Sequence, residues 1–201
     1  MPEHYFSADP SVPFERESFE AELWGHRLTF DSGSGVFSRG HLDHATAVLF
    51  RELAPPPQGQ FLDLGCGYGV IGLALAAAVP LANVTGVEVN ERAILLANDN
   101  ARAAGLASRF VACLPEQVPS NQVFDEIWSN PPVRIGKQAL HDLLLRWLPR
   151  LGEGGRAVLV VGKNLGADSL QRWLGEQGWP TTRRASAKGF RVLEVRRSDD
   201  P

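Results

Sequence analysis

Cysteine is scarce: the 201 residues hold only two, Cys66 and Cys113. Two thiols cannot make the framework of a disulfide-stapled secreted domain. The five histidines, His4, His26, His41, His44 and His141, have no cysteine pair near them. Only His41 and His44 lie one helical turn apart, and they lack further ligands, so no metal site is expected. No basic-then-apolar leader opens the chain, and no apolar run approaches the length of a membrane span. Glycine and proline, though frequent, follow no period, which excludes a collagen-like or low-complexity chain. No internal repeat is visible. These absences point to a soluble cytoplasmic protein with reduced thiols and no contact with a membrane.

What is present is globular. Hydrophobic residues make up 44% and charged residues 21%, in a length that suits one α/β domain with a short extension. The formal net charge of −3 excludes a basic nucleic-acid binder as a whole. The charge is uneven, however: residues 1–130 carry −9 and residues 131–201 carry +6. Such asymmetry points to an anionic partner on one side.

Along the chain, residues 1–18 are polar and interrupted by prolines. Phe19 to Phe30 alternates apolar and polar around Gly25, which predicts a β-hairpin. A glycine-rich loop, "DSGSGVFS", precedes a helix over "LDHATAVLFREL". From Phe61 the pattern alternates strand and helix. Strands are expected at 61–64, 84–87, 110–112, 124–128 and 157–161, and helices at 70–78, 91–104, 137–148 and 169–176. Two strands around "KG", at 181–187 and 190–195, close the chain and must pair antiparallel, being too close for a helical crossover. The alternation implies a doubly wound, mostly parallel seven-stranded sheet with helices on both faces. Residues 1–36 form an N-terminal extension with the hairpin, and residues 37–201 the main domain.

Three motifs carry chemistry. The first is "FLDLGCGYGVIG". Gly65, Gly67 and Gly69 follow the first parallel strand where it turns into a helix, so that a ligand can touch the main chain. The second is "VTGVEVN". Glu88, with Val89 beside it, ends the next strand, placed to accept hydrogen bonds from the hydroxyls of a ribose. The loop order, Asp63-x-Gly-x-Gly-x-Gly, is neither the dinucleotide fingerprint nor a P-loop. The third is "IWSNPPVRIGK". Asn130-Pro131-Pro132 follows an apolar strand, and the prolines fix φ and lack N–H groups. This leaves a carbonyl turned outward beside a free Asn amide, an arrangement that can receive an NH₂ group.

Together these motifs resemble the class I methyltransferases that use S-adenosylmethionine. Asp63, Gly65, Gly67 and Gly69 match that family's glycine motif, Glu88 its ribose acid, and Asn130-Pro131-Pro132 the catalytic loop of members that methylate amino groups. "SGVFSRGHLD", "NPPVRIGK" and "KGFRVLEV" narrow the likeness to the RsmC-like (MTS) ribosomal RNA guanine-N2 methyltransferases, over roughly Phe19 to Arg197. The resemblance implies S-adenosylmethionine as cofactor and RNA as partner, ribosomal and within a subunit or naked. It implies that Asn130 and the Pro131 carbonyl orient an exocyclic amine beside Pro132.

The likeness has departures. Longer members carry a second, degenerate copy of the domain in front, and this sequence has room for one copy. Val133 stands where an aromatic residue often stacks on the base, so Phe37 and Phe190 are the candidate platforms. Cys113 and Leu114 stand where many relatives have an acid for the adenine amine, leaving that contact to main chain and apolar groups. Arg134, Lys137, Lys188 and Arg191 are candidate phosphate contacts. A protein glutamine or a small molecule as methyl acceptor, or a cofactor-binding module without catalysis, remain alternatives.

Overall fold

The computed structural model describes residues 14–198. Two antiparallel strands, β1 (Arg16–Leu23) and β2 (His26–Gly33), form the hairpin. It is longer than the alternation predicts. The main sheet has seven strands: β3 (Gly59–Leu64), β4 (Ala82–Val87), β5 (Phe110–Cys113), β6 (Phe124–Ser129), β7 (Leu151–Gly162), β8 (Thr181–Ala187) and β9 (Phe190–Arg196). Their spatial order is β5-β4-β3-β6-β7-β9-β8. The first five in that order run parallel, and β9 is antiparallel to both β7 and β8. The helices are α1 (His44–Glu52), α2 (Val70–Ala78), α3 (Glu91–Ala103), α4 (Lys137–Trp147) and α5 (Ala167–Glu176).

Side-chain alternation along the strands builds two cores. On β7, Val158 and Val160 face one layer while Ala157, Leu159 and Val161 face the other. The run looks uniformly apolar in sequence because both of its faces are covered. The first layer holds α1, α2, α3 and the hairpin, whose Phe30 is fully buried there. The second holds α4 and α5, with Trp147 and Leu144 fully buried. Each such large side chain contributes about 1.5–3 kcal/mol by leaving water.

Chain direction reverses its lateral progress at β3. From there β4 and β5 lie on one side and β6 and β7 on the other. A crevice therefore opens beyond the carboxyl ends of β3 and β6, the place where open α/β sheets bind ligands. The Ser129 hydroxyl at the end of β6 donates to the Leu64 carbonyl at the end of β3, at 2.6 Å. This bond ties the two loops that leave those strands. Most strands of the main sheet run slightly beyond the bounds read from the sequence, and β7 differs most. β7 begins six residues earlier than its apolar run, because "LGEGG" pairs with β6 around a bulge.

Candidate active site

A cavity of about 430 Å³ lies at this switch point. Its floor is the loop after β3. Gly65 and Gly67 sit at φ values of 73° and 53°, a conformation that L side chains adopt rarely. A Cβ at Gly67 would meet nothing within 4 Å, so its main chain is bare toward the cavity. Gly69 is not part of the wall. It turns the chain at φ 94° and serves as the N-cap of α2.

Asp63 lies at 0% exposure under this loop. Its Oδ2 accepts the Gly72 N–H at 2.7 Å, satisfying a first-turn donor of α2 that has no side-chain cap. Its Oδ1 is buried with no partner among the described residues, and Asp63 borders the cavity. Burial, opposed by the Gly72 hydrogen bond and reinforced by the nearby Glu88 charge, pushes its carboxyl pKa up to about 7. An orphaned carboxylate oxygen at the wall fits a cationic ligand.

Glu88, half-buried, is more tightly held than the sequence suggests. Its Oε2 accepts Gly67 N–H at 3.0 Å, and its Oε1 accepts Val89 N–H at 2.7 Å and Asn90 N–H at 3.1 Å. The carboxylate thus braces the glycine loop while one lone pair on Oε2 stays available to a hydroxyl. Tyr68 extends the bracing on the other side. Its hydroxyl donates to the Ser38 and His41 carbonyls at 3.0 and 3.2 Å, strapping the loop that carries Phe37 across the cavity. These features fit S-adenosylmethionine: bare backbone, a carboxylate able to accept from ribose hydroxyls, and a buried carboxyl with one unpartnered oxygen.

Beside this loop the cavity is lined by Asn130-Pro131-Pro132 and Val133, a Cβ at Gly65 lying 3.7 Å from Pro132 Cδ. All peptide bonds there are trans. Pro132, at φ −74° and ψ 66°, centres an inverse γ-turn in which Val133 N–H donates to the Pro131 carbonyl at 2.8 Å. That carbonyl therefore offers one lone pair rather than two. The sequence reading leaves the Asn130 amide free, and this is corrected. Its Nδ2 donates to Asp43 Oδ2 at 2.8 Å and to Thr46 Oγ1 at 3.1 Å. A carboxylate only accepts, so the amide end facing Asp43 is the NH₂, and the oxygen is the end left for the cavity.

The remaining candidates divide. Phe37, at 41% exposure, Val89 and Phe190 line the same cavity. Lys137 is exposed at the start of α4 and is not part of the wall. The side chain of Arg134 lies outside the described residues. Arg191 is drawn to Asp168 at 3.5 Å and to the Ser186 hydroxyl, so it is already partnered. Asp43, Thr46 and Tyr68 are site residues that the motifs do not single out. Asp43 ends the segment "SGVFSRGHLD" and reads locally as a helix N-cap, but its meeting with Asn130 spans 87 positions and no spacing records it. Among the described residues no group of three His, Cys, Asp or Glu could hold a metal ion, and no helix is long and apolar enough to cross a membrane.

Comparison with known proteins identifies the family. Residues 27–194 match the family model described as methyltransferase small domain. The uncharacterized protein YbxB of Bacillus subtilis is 34% identical over 98% of this chain and 100% of its own length. Ribosomal RNA small subunit methyltransferase C of Ectopseudomonas mendocina is 33% identical over 94% of this chain, but the match spans only 57% of that longer protein. The 16S rRNA N2 G1207 methyltransferase RsmC of T. thermophilus, solved with AdoMet and guanosine, superposes with a TM-score of 0.75 at 28% identity. That match covers 94% of this chain and 52% of the other. The chain belongs to the methyltransferase small domain family, as an RsmC-like class I methyltransferase whose cofactor is S-adenosylmethionine.

Proposed function

We propose that the protein transfers a methyl group to an exocyclic amino nitrogen, that of guanine in small-subunit ribosomal RNA. The observation that carries this reading is Asn130. Its NH₂ end is anchored and its oxygen is left to a cavity that the glycine loop also lines. The names of the longer relatives support RNA as the acceptor, since similar chains are ribosomal RNA methyltransferases.

When bound, S-adenosylmethionine supplies a methyl group made electrophilic by its sulfonium. The protein has to aim a nitrogen at it. A base NH₂ is flat, with its lone pair delocalised into the ring. Asn130 Oδ1 and the remaining lone pair of the Pro131 carbonyl would accept its two hydrogens. That would pyramidalise the nitrogen and turn its lone pair toward the methyl; as the nitrogen–carbon bond forms the carbon–sulfur bond would break, and one of the two held hydrogens would leave as a proton to water. This is catalysis by positioning, helped by acceptors placed where positive charge develops. The γ-turn holds the Pro131 carbonyl rigid, so little reorganisation is needed at the moment of transfer. Gly65, Gly67, Glu88 and Val89 would hold the nucleoside part of the cofactor, and Asp63 would face its cationic end.

The target base has to be unpaired or flipped out to reach this cavity. Phe37 and Phe190 on the wall would stack on it. Lys137 and Lys188 would meet phosphates, and so would Lys163, whose N–H bonds the Gly189 carbonyl beside Lys188 at 2.8 Å. None of the three forms an ion pair among the described residues.

The test is to incubate the protein with methyl-labelled cofactor and, separately, total RNA, ribosomal subunits and protein extract. Label in the small-subunit RNA, recovered as N2-methylguanine after digestion, is expected. Label confined to protein would move the acceptor to a glutamine amide.

A further inference from the structure

The Asn130 amide is built into a clamp formed by the first turn of α1. Asp43 is the N-cap of that helix, and its Oδ2 accepts Ala45 N–H at 2.8 Å and Thr46 N–H at 3.0 Å. The same oxygen accepts Asn130 Nδ2 at 2.8 Å, and Thr46 Oγ1 accepts it at 3.1 Å. Thr46 is itself only 5% exposed. One helix end, 84 and 87 positions away in sequence, thus takes the donor end of this amide.

An amide has two ends of nearly equal shape and opposite polarity. If Asn130 flipped, its NH₂ would face the hydrogens of the reacting amine, donor against donor, and transfer would lose an acceptor. Packing cannot choose between the two orientations; hydrogen-bond polarity can. A flipped Asn130 would also set its oxygen against the Asp43 carboxylate, so the flip is opposed at both ends. The clamp further places a negative charge on the donor side of the amide, which polarises the oxygen opposite and makes it a better acceptor.

We infer that Asp43, assisted by Thr46, is a positioning residue that fixes Asn130 in the single amide orientation able to receive a substrate amine. This rests on the amino-nitrogen reading of the site, and it assigns Asp43 no contact with the reacting atoms.

Asp43→Ser separates the two duties of the side chain. Serine caps a helix as well as aspartate does, but it is too short to reach Asn130. The variant should fold and bind cofactor within a few-fold of wild type, while single-turnover methyl transfer falls about 10- to 100-fold, as expected for losing a hydrogen bond to a charged group. Asp43→Asn, which caps and still offers an oxygen to Asn130, should restore most of that loss. In an Asn130→Ala background, Asp43→Ser should reduce transfer no further, because its only route to the chemistry is gone. Multiplying losses in the double variant would overturn the inference.

A second readout needs no substrate. The Asn130 side-chain amide signal in a ¹⁵N spectrum, identified by its loss in Asn130→Ala, should shift and exchange faster with water in Asp43→Ser. An unchanged signal would overturn the clamp whatever the enzyme methylates. Failure of the wild type to methylate any amino group would remove the functional reading alone, with the amide signal still deciding the clamp.

Discussion

Asp63 and Glu88 each hold main-chain N–H groups while bordering the candidate cofactor cavity. Asp63 caps α2 through Gly72 and leaves one oxygen buried and unpartnered. Its folded pKa of about 7 lies above the ordinary 3.8. Between those values the folded state holds a proton that the unfolded state has released. This group's contribution to stability is therefore complete below pH 4 and is lost as pH rises to about 7. Asp63→Asn removes the titration and keeps an acceptor for Gly72. Its melting temperature relative to wild type, both without cofactor, should climb between pH 4.5 and 7 and level off above. A pH-independent difference would place the Asp63 carboxyl in a different environment. Glu88 accepts three main-chain N–H groups, one of them from Gly67. Glu88→Ala should weaken cofactor binding by about 2–4 kcal/mol, read by titration calorimetry. Normal affinity would remove Glu88 from the cofactor site.

At the scale of elements, what the sequence makes legible is what local pattern encodes. The strand–helix alternation from Phe61 onward, the hairpin around Gly25 and the closing pair around "KG" all depend on neighbours within a few residues, and all are present. The ends of β7 and α5 are less legible. "LGEGG" reads as a loop but joins the sheet through pairing with β6, and α5 starts at Ala167, ahead of the polar Ser169. The site divides in the same way. Asp63, Glu88 and Asn130 belong to contiguous motifs. The Asp43 and Thr46 contacts and the occupied lone pair of Pro131 depend on chain folding back or on turn geometry, which spacing does not record. The packing of α2 is a further tertiary fact. A Cβ at Gly72 would come within 2.3 Å of the Phe110 ring, which is 97% buried (3% exposed). Gly72→Ala should therefore destabilise by about 1–3 kcal/mol through overpacking, despite alanine's better helix propensity. Denaturant unfolding would show it. A more stable variant would mean that Phe110 yields without cost.

For the whole molecule, the uneven charge of the sequence is partly spent internally. Arg156, Arg184 and Arg196 converge on Glu194, and Arg183 and Arg191 meet Asp168. The positive C-terminal portion, residues 131–201, therefore offers fewer cations to an outside partner than its net charge suggests. Those at Lys137, Lys163 and Lys188 are the ones proposed for phosphates. RNA affinity should fall with added salt at a slope set by about three such contacts, while cofactor affinity hardly changes. A salt-independent acceptor affinity would favour a small-molecule substrate. The proposed function converges on one step, in which the Asn130 turn would present an amine to a methyl held over the glycine loop. Single-turnover methyl transfer by Asn130→Ala, measured beside its cofactor affinity, tests that step most directly. The account predicts transfer slowed by roughly 10²–10³, the scale for losing one well-placed transition-state partner, with cofactor affinity within a few-fold of wild type. Transfer at the wild-type rate would contradict it and reduce the Asn-Pro-Pro turn to a strand end.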